Sequence, residues 1–593
     1  MNLSPEERQV GKENFNEALG IGRRDFLKGV MAAGVASGAG LGAAYFSYGK
    51  TVDNPVRLGI IGTGDEGGVL IGALSPKYVE VKAICDIRKF SQHRAFHGDI
   101  TNLDARPGLM AKYGWKTDEE AKKNVKVFDN YEELLKEKDI EAVIIALPLH
   151  LHDVVAIAAM KAGKHVLTEK LMGHDIAKCK DMARTSAHTG LLLATGHQRH
   201  YSVLYDNAVN ILRWGLLGEL HHIRAQWHRG NLPGKDQWRP PLPGGEMVYD
   251  KDGKQVHFDR IAKELKELKA ALAKETSPKK MSELEKRVAQ WDAWNADREL
   301  DPERFGYTSI SLADGRKRSA MEELCRWRIW DRTGGGLMAE LGSHQLDAAS
   351  IFCSALRKDG KKAHPISVHA VSGRHTFPLD RDADDHVYCI FEFPGPGYEP
   401  GFDVGYRDDS LNYPDPKKGI DPYEKDKNKR IVVTYSSING NGYGSYGEVV
   451  MGSKGTLILE REKEVMLFRG DSTSTKVTVK DEGAGPAMTS YETGGGGAAA
   501  ALGSSATTGD ISRGYTEEIE HWAWCIRNPD PKNLPKCKPE IALGDAVIAL
   551  TARMAGQRTF ADQSGYVRFK EEWFQVDSDE TPDGSKPTVP AKA

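Results

Sequence analysis

Charge of one sign is what this 593-residue chain most plainly lacks: 81 Lys and Arg against 84 Asp and Glu leave a formal net charge of -3. Such a balance sets up no overall field to gather nucleic acid or anionic lipid, and a nucleic-acid function is disfavoured. Cysteine is also sparse. Cys85, Cys179, Cys325, Cys353, Cys389, Cys525 and Cys537 stand without C-x-x-C spacing, which argues against structural zinc and against a disulfide scaffold. Free core thiols are expected, with Cys525 and Cys537 as the alternative bonded pair in an oxidising compartment, and no metal is expected. Beyond the N-terminus no run is long and apolar enough to cross a bilayer.

What is present begins with Arg23-Arg24-Asp25-Phe26-Leu27-Lys28, followed by an Ala/Gly-rich apolar stretch from Gly29 to about Tyr48. Paired arginines before an apolar region are the pattern of a twin-arginine targeting segment, so a periplasmic or extracytoplasmic location is expected. No clean A-x-A site is visible, although Gly42-Ala43-Ala44 is close to one. The run is either cut there or kept as a membrane anchor, its length being borderline for a span. A cytosolic basic loop before a buried helix is the bland alternative.

The length requires at least two domains. Val56 to Ile61, Val79 to Cys85, Ala142 to Leu147 and Lys164 to Leu167 are short apolar runs alternating with helical stretches such as Tyr131 to Glu137 and Val154 to Ala162. That alternation predicts an α/β, doubly wound parallel sheet. Past about residue 200, strand-like runs crowd together: Leu220 to Trp227, Pro365 to Arg374, Val387 to Phe393, Arg430 to Ser437, Tyr446 to Met451 and Thr456 to Glu460. They predict an α+β second domain with a large, mostly antiparallel sheet. The charged stretch from 245 to 320 carries Ile261, Leu265, Leu268, Leu272 and then Leu284, Val288 and Trp291 at helical spacing, broken at Pro278. It reads as an inserted helical hairpin. Gly494 to Gly509 reads as a flexible loop, and Tyr515 to Ile526 and Glu540 to Thr559 as closing helices. The resulting division is a leader over 1–50, a nucleotide-binding domain over 51–198, an α+β domain over 199–575 and a polar tail over 576–593.

The first strand runs into Gly62-Thr63-Gly64-Asp65-Glu66-Gly67, a G-x-G-x-x-G with a strand before it and a helix after. Gly62 permits the tight turn, Gly64 lets a pyrophosphate approach the backbone, and Gly67 lets helix and strand pack closely. Asp86, at the end of the second strand, is placed for the adenosine ribose hydroxyls, which favours NAD. Arg88 and Lys89 keep NADP open as the alternative.

A second constellation joins Pro148, His150 and His152 to Gly163-Lys164-His165-Val166-Leu167-Thr168-Glu169-Lys170. A third is Gly334-Gly335-Gly336 followed by Glu340, His344 and Asp347, where spacing on a helix would put Glu340 and His344 on one face. Together these resemble the glucose–fructose oxidoreductase and inositol dehydrogenase (Gfo/Idh/MocA) family, with its T-P-N-x-x-H, G-K-x-V-x-x-E-K-P and G-G-G-x-x-x-D-x-G-x-H-x-x-D patterns. The sequence departs from them at His150 for Asn, Leu171 for Pro and Glu340 for Asp.

The resemblance implies a Rossmann domain followed by an α/β domain that often forms oligomer contacts, so a homo-oligomer is expected. It implies NAD(P) held by the glycine turn, Thr63, Asp86, Arg88, Pro148, His152 and Glu169. It implies hydride transfer with a sugar or polyol, in which His344 is the base, Lys170 polarises the oxygen and Glu340 tunes the pair; a direct base role for Lys170 stays open. Arg199 and Tyr201, then Trp227 and His228, with Asp347, are the substrate-side candidates, and His197 and His386 weaker ones. A folded-export route would let such a protein leave the cytoplasm with its cofactor loaded. Two alternatives stand beside this reading: an NAD-dependent glycosidase, which the same family contains, and a non-catalytic sugar-binding protein.

Overall fold

The computed structural model describes residues 3–32, 41–49, 51–313, 315–402, 427–481, 486–490 and 513–592; side chains of 21–32 are outside that description. The centre of the apolar leader run and the Gly494 to Gly509 stretch lie outside the described residues.

Six parallel strands build the first sheet: β1 Val56–Ile61, β2 Val79–Cys85, β3 Lys126–Phe128, β4 Ala142–Ile145, β5 His165–Glu169 and β6 Leu193–Gly196. Their order is β3-β2-β1-β4-β5-β6, so the winding reverses between β1 and β4 and opens a crevice at the carboxyl ends there. Val56, Leu58 and Ile60 of β1 and all four residues of β4 are fully buried, which is why these strands read as continuous apolar runs. Part of one face is covered by helix Tyr515–Arg527, whose Ile519, Trp522 and Ala523 join Leu58, Ile60 and Leu167 in one cluster. That helix, expected to close the second domain, therefore completes the first.

The remaining strands are β7 Leu220–Arg229, β8 Glu246–Tyr249, β9 Gln255–Phe258, β10 Ile310–Ser311, β11 Lys317–Arg318, β12 Ser367–Gly373, β13 His386–Pro394, β14 Arg430–Asn439, β15 Tyr446–Gly452, β16 Gly455–Glu460, β17 Glu464–Arg469, β18 Val477–Asp481, β19 Pro486–Ser490 and β20 Tyr566–Arg568. Eight of them form a sheet in the order β17-β16-β15-β7-β14-β13-β12-β20. Its pairs are antiparallel except β7 with β14, matching the mostly antiparallel expectation. Ile431, Val433 and Tyr435 alternate inward along β14, and helices Ser343–Ala355 and Pro539–Phe560 cover that face.

The 245–320 insertion contains the expected helical hairpin, Arg260–Leu272 and Pro278–Ala296, with Pro278 in the first turn of the second helix. It leans on the nucleotide-binding domain. Trp294 stacks on Phe90 at 4.5 Å, and Gln290 donates to Asp99 at 3.1 Å.

Two terminal segments differ from expectation. Helix Pro5–Ala32 carries the paired arginines, yet its first half is docked on the second domain rather than set apart as a leader. Phe15, Ala18 and Leu19 recur at helical spacing and are buried in the main core, and Asn14 donates to the carbonyls of Leu467 and Thr475 at 3.1 and 3.0 Å. On the other flank, the Tyr48 hydroxyl donates to Glu520 at 2.9 Å and that of Tyr45 to Asp206 at 2.8 Å. The expected polar tail is likewise docked. Lys180 donates to the carbonyls of Glu572, Ser578 and Glu580, and Arg184 to those of Val576 and Val589. Buried cations on helix Ile176–Thr189 thus find their partners in backbone oxygens of residues that no apolar pattern marks. Among the described residues no helix is long and apolar enough to cross a membrane, and all seven cysteines are free and buried, Cys525 and Cys537 included.

Candidate active site

The glycine turn sits at the crevice where the winding reverses. Gly62 has φ +88°, and a Cβ there would meet the Ala146 carbonyl oxygen at 2.3 Å; a Cβ on Gly67 would meet the Gly62 oxygen at the same distance. A Cβ on Gly64 would meet nothing within 4 Å, so this glycine borders open space. Helix Asp65–Ala73 has no side-chain cap, leaving first-turn N–H groups directed into that space. Two acids in its first turn would repel a phosphate there. Asp65 is turned away to Arg94 at 2.8 Å, and burial pushes the Glu66 carboxyl upward, towards its neutral form.

Asp86 follows β2 directly and accepts from the backbone N–H of Thr63 at 2.8 Å and of Arg88 at 2.9 Å. A carboxylate oxygen accepts two bonds, so capacity remains for ribose hydroxyls. These residues fit a dinucleotide: an uncapped helix start, an open cradle at Gly64 and a carboxylate one strand away. Arg88 is committed elsewhere. Its Nε donates to Asp297 of the insertion at 2.8 Å, so a 2′-phosphate would have to compete with a buried carboxylate. Pro148 opens the short turn Leu149–Leu151, and the His152 ring bridges two carbonyls, Leu171 at 2.8 Å and Leu147 at 2.9 Å. His152 thus ties the β4 and β5 loops together from inside.

At the end of β5, Glu169 is buried, one oxygen accepting from the Lys170 N–H at 3.1 Å and the other unpartnered. Burial, then Glu66, raises its carboxyl to about 8, which favours its neutral form. The Lys170–Leu171 peptide is cis. The Lys170 Nζ donates to the Glu340 carbonyl at 2.7 Å and lies 3.9 Å from its carboxylate. Arg328 donates to the other carboxylate oxygen at 2.8 Å. Against burial, which raises it, Lys170 and Arg328 draw the Glu340 carboxyl down to about 2.

Glu340 does not sit on the regular helix that its spacing suggested. Met338–Gly342 makes one π-helical turn that runs directly into helix Ser343–Ala355, a device common at functional sites. The extra residue lets the Glu340 carbonyl and carboxylate both face Lys170. His344 follows, its carbonyl held by Arg199 and its ring 5.2 Å from that of Trp227. Burial, then Lys170 and Arg199, hold the imidazole well below its usual range, so it stays neutral at neutral pH. Trp227 stacks on Tyr446 at 4.4 Å, giving an apolar wall beside His344.

The other substrate-side candidates are placed differently. Arg199 is buried and paired with Glu462 at 2.8 Å, with Glu448 3.6 Å away; it supports His344 from behind rather than meeting a ligand. The Tyr201 hydroxyl lies 2.8 Å from His521 Nδ1 and accepts from the Lys536 N–H at 2.8 Å, away from Lys170. His228 alternates to the opposite side of β7 from Trp227, facing His386. Asp347 belongs to a buried network: 2.9 Å from His200, 3.3 Å from Lys362 and 3.7 Å from His197. In each case the motif located the backbone, while strand alternation or helix rotation turned the side chain elsewhere. That network brings His197, Cys537 and Asp545, and also His200, Asp347 and Asp545, close enough to hold an ion. The Lys362 ammonium lies 2.7 Å from Asp545, supplying there the positive charge the carboxylates require.

Reading the sequence misses Arg328 and Glu66; it marks Arg229 within the run Trp227-His228-Arg229-Gly230-Asn231, whose aromatic face and bidentate donors suit a sugar. Glu66 lies inside the glycine motif, where the variable positions carry no signal. Arg328 stands between Trp327 and Trp330 in the stretch 326–330, a basic aromatic cluster that offered the only hint.

Residues 56–197 match the family described as oxidoreductase family, NAD-binding Rossmann fold. A glycosyl hydrolase family 109 protein from Solibacter usitatus is 30% identical over 240 residues, 37% of this chain and 49% of that protein. An uncharacterized oxidoreductase from Schizosaccharomyces pombe is 34% identical over 128 residues, 21% of this chain and 35% of its own. The chain thus spans about half or less of the curated relatives it matches. Among solved structures, scyllo-inositol dehydrogenase from Lactobacillus casei aligns over 87% of this chain and 99% of its own at 14% identity and a TM-score of 0.44. Residues 56–197, which carry the glycine turn, Asp86 and Glu169-Lys170, are thus similar to the NAD-binding Rossmann domain of that oxidoreductase family.

Proposed function

We propose that the protein is an NAD-dependent oxidoreductase acting on the carbinol carbon of a sugar, polyol or sugar-derived substrate. The observation that carries this reading is the meeting of Lys170, Glu340 and a neutral His344 at the carboxyl ends of the first sheet. Bound NAD would supply the hydride acceptor there. The substrate hydroxyl sits between Lys170 and His344. An imidazole nitrogen of His344 takes the hydroxyl proton as the carbon–hydrogen bond breaks, and the Lys170 ammonium stabilises negative charge developing on the oxygen. Glu340, paired with Arg328, positions the Lys170 side chain through its carbonyl and carboxylate. Trp227 offers an apolar face to the ring of the substrate. The position of Arg88 against Asp297 favours NAD over NADP.

Lys170→Ala tests the reading: turnover is lost while NAD still binds, and normal rates in that variant would sink the proposal. A second reading is favoured by one observation, the similarity to proteins named for glycosyl hydrolase family 109. In it the same groups oxidise a glycoside transiently, eliminate the aglycone and restore the ring. Release of free sugar from a glycoside with no net change in NAD would establish that chemistry instead. We also infer export through the twin-arginine route, supported by Arg23-Arg24 and the run that follows, with a retained anchor and a homo-oligomer as further expectations. Fractionating cells that express the paired Arg23→Lys, Arg24→Lys variant tests export; unchanged distribution of the protein refutes it.

A further inference from the structure

Around the proposed site, most cations have a carboxylate within ion-pair distance. Arg328 donates to Glu340 at 2.8 Å, Arg513 to Glu462 at 2.7 Å, and Arg199 to Glu462 at 2.9 Å. Arg229 is the exception. It is the last residue of β7, partly buried, and its guanidinium lies 5.5 Å above the ring of Trp227, the residue that walls His344. Among the described residues no carboxylate comes within ion-pair distance of it, and its Nε is buried without a hydrogen-bond partner.

We propose that Arg229 is an anion-binding residue of the active site, so that the substrate is a carbohydrate bearing an oxyanion, a carboxylate or a phosphate, close to the carbon that reacts. This rests on the oxidoreductase reading and narrows it to acidic sugars. A guanidinium held partly out of water without a counter-charge is costly, and its planar fork matches the two oxygens of a carboxylate or phosphate. Stacking on Trp227 orients that fork but leaves its in-plane donors unused.

The charge balance of the site agrees. Lys170, Arg328 and Arg229 are positive, and Glu340 is the one carboxylate held firmly ionised among them. Glu66 and Glu169 are both pushed towards their neutral forms by burial. Burial draws the Arg229 guanidinium below the ordinary value, Glu340 opposes this, and Arg328, Tyr446 and Glu66 are the next groups to act on it. A neutral sugar would leave this excess positive charge unanswered. The oxyanion of an acidic one would answer it directly, with its reacting hydroxyl reaching Lys170 and His344. The glycine turn, on its own helix start, provides for the cofactor pyrophosphate without Arg229.

The test uses the purified full chain with NAD and three probe sets: glucose, galactose and myo-inositol; galacturonate and gluconate; and glucose 6-phosphate. NADH formation is measured for each, together with quenching of tryptophan fluorescence on binding. The expected result is a preference of about 100-fold in kcat/KM for an acidic probe over its neutral counterpart. The carboxylate and phosphate arms show which oxyanion is taken. In Arg229→Met the preference collapses to within about 3-fold, while the Kd for NAD stays the same and the melting temperature confirms folding. Equal use of neutral and acidic sugars overturns the inference and leaves the oxidoreductase reading standing. So does a variant that loses NAD affinity, because Arg229 then serves the cofactor. If no probe is oxidised, the oxidoreductase reading is the one in trouble, and binding decides this one. Quenching by an acidic probe that Arg229→Met abolishes supports it; quenching indifferent to charge or to the substitution refutes it.

Discussion

Removing the Lys170 ammonium should do two separable things, and their combination distinguishes a working lysine from a structural one. With Nζ 3.9 Å from the Glu340 carboxylate, the pair interacts by about 4 kcal/mol at an effective dielectric near ~20. Arg328 remains on the other oxygen, so Glu340 stays ionised in Lys170→Met and the site does not collapse. The first effect is on rate: a lost proton-transfer and oxyanion partner costs ~10²–10⁴-fold in kcat, roughly 3–5 kcal/mol. The second is on pH. In the wild type, burial and then Lys170 disfavour the imidazolium of His344, so the acid limb of kcat/KM for alcohol oxidation should lie well below 6.5. Without the ammonium, the imidazolium forms more easily and the limb moves up. The assay is NADH formation from about pH 4 to 9, with NAD binding followed by fluorescence. A variant that is slow but keeps the wild-type limb refutes the pairing of Lys170 with His344. One that no longer binds NAD shows the loop, rather than the chemistry, to have failed.

Three further outcomes follow from the same geometry. Gly64→Ala should melt as the wild type does yet weaken NAD by ~10-fold or more, because its Cβ enters open space, whereas Gly67→Ala, facing an oxygen at 2.3 Å, should lose ~1–3 kcal/mol of stability. Equal melting temperatures for the two variants would contradict the packing described. His197 is buried and held down to about 3 by desolvation, so the folded state refuses the proton that the unfolded chain accepts below 6.5. Stability is therefore lost as pH falls from 6.5 towards 3, by up to ~1.4 kcal/mol per unit from this residue, and His197→Asn should flatten that slope in urea titrations. Glu169, raised to about 8 from 4.5, keeps its proton where the unfolded chain has lost it, so it withdraws stability as pH rises from 4.5 to 8. Glu169→Gln should accordingly exceed the wild type by ~1–3 kcal/mol at pH 8 and match it near pH 4; a constant difference across that range would refute the assignment.

The first domain was legible because its strands are buried on both faces and its turn requires glycine at fixed steps. β3, with three half-exposed or exposed residues, left no such trace, and neither did β8 and β9. Within the site, Lys170, Glu340 and His344 were legible as a motif, but the π-helical turn at Met338–Gly342 was not, since π-turns have no distinctive composition. Asp347, one turn beyond His344, follows helix rotation away from Lys170 into the network of Lys362 and Asp545, partners 15 residues away and far beyond. Arg199 and Tyr201 lie where a substrate stretch was expected, yet their carboxylate and imidazole partners come from residues 448, 462 and 521, a pairing that local sequence does not encode. The first nineteen residues were obscured for a different reason. The paired arginines drew the whole region into a targeting pattern, although Phe15, Ala18 and Leu19 already showed a helix with one apolar side.

That first helix lies along β17, the last strand of the eight-stranded sheet, where backbone groups would otherwise face water. A Cβ on Gly11 would strike the Phe468 ring at 2.5 Å, and Asn14 closes the Leu467 carbonyl, so contact is intimate along the strand. An uncovered terminal strand is a template on which a second chain can lengthen the sheet. The helix is thus a guard against self-association. Any peptidase cut between it and the first sheet would leave that guard attached by non-covalent contacts: Asn14, the pairs of Arg8, Lys12 and Glu13, the Glu7–Thr473 bond and a few apolar side chains. Aggregation after processing, rather than loss of activity, would be the first sign of its departure.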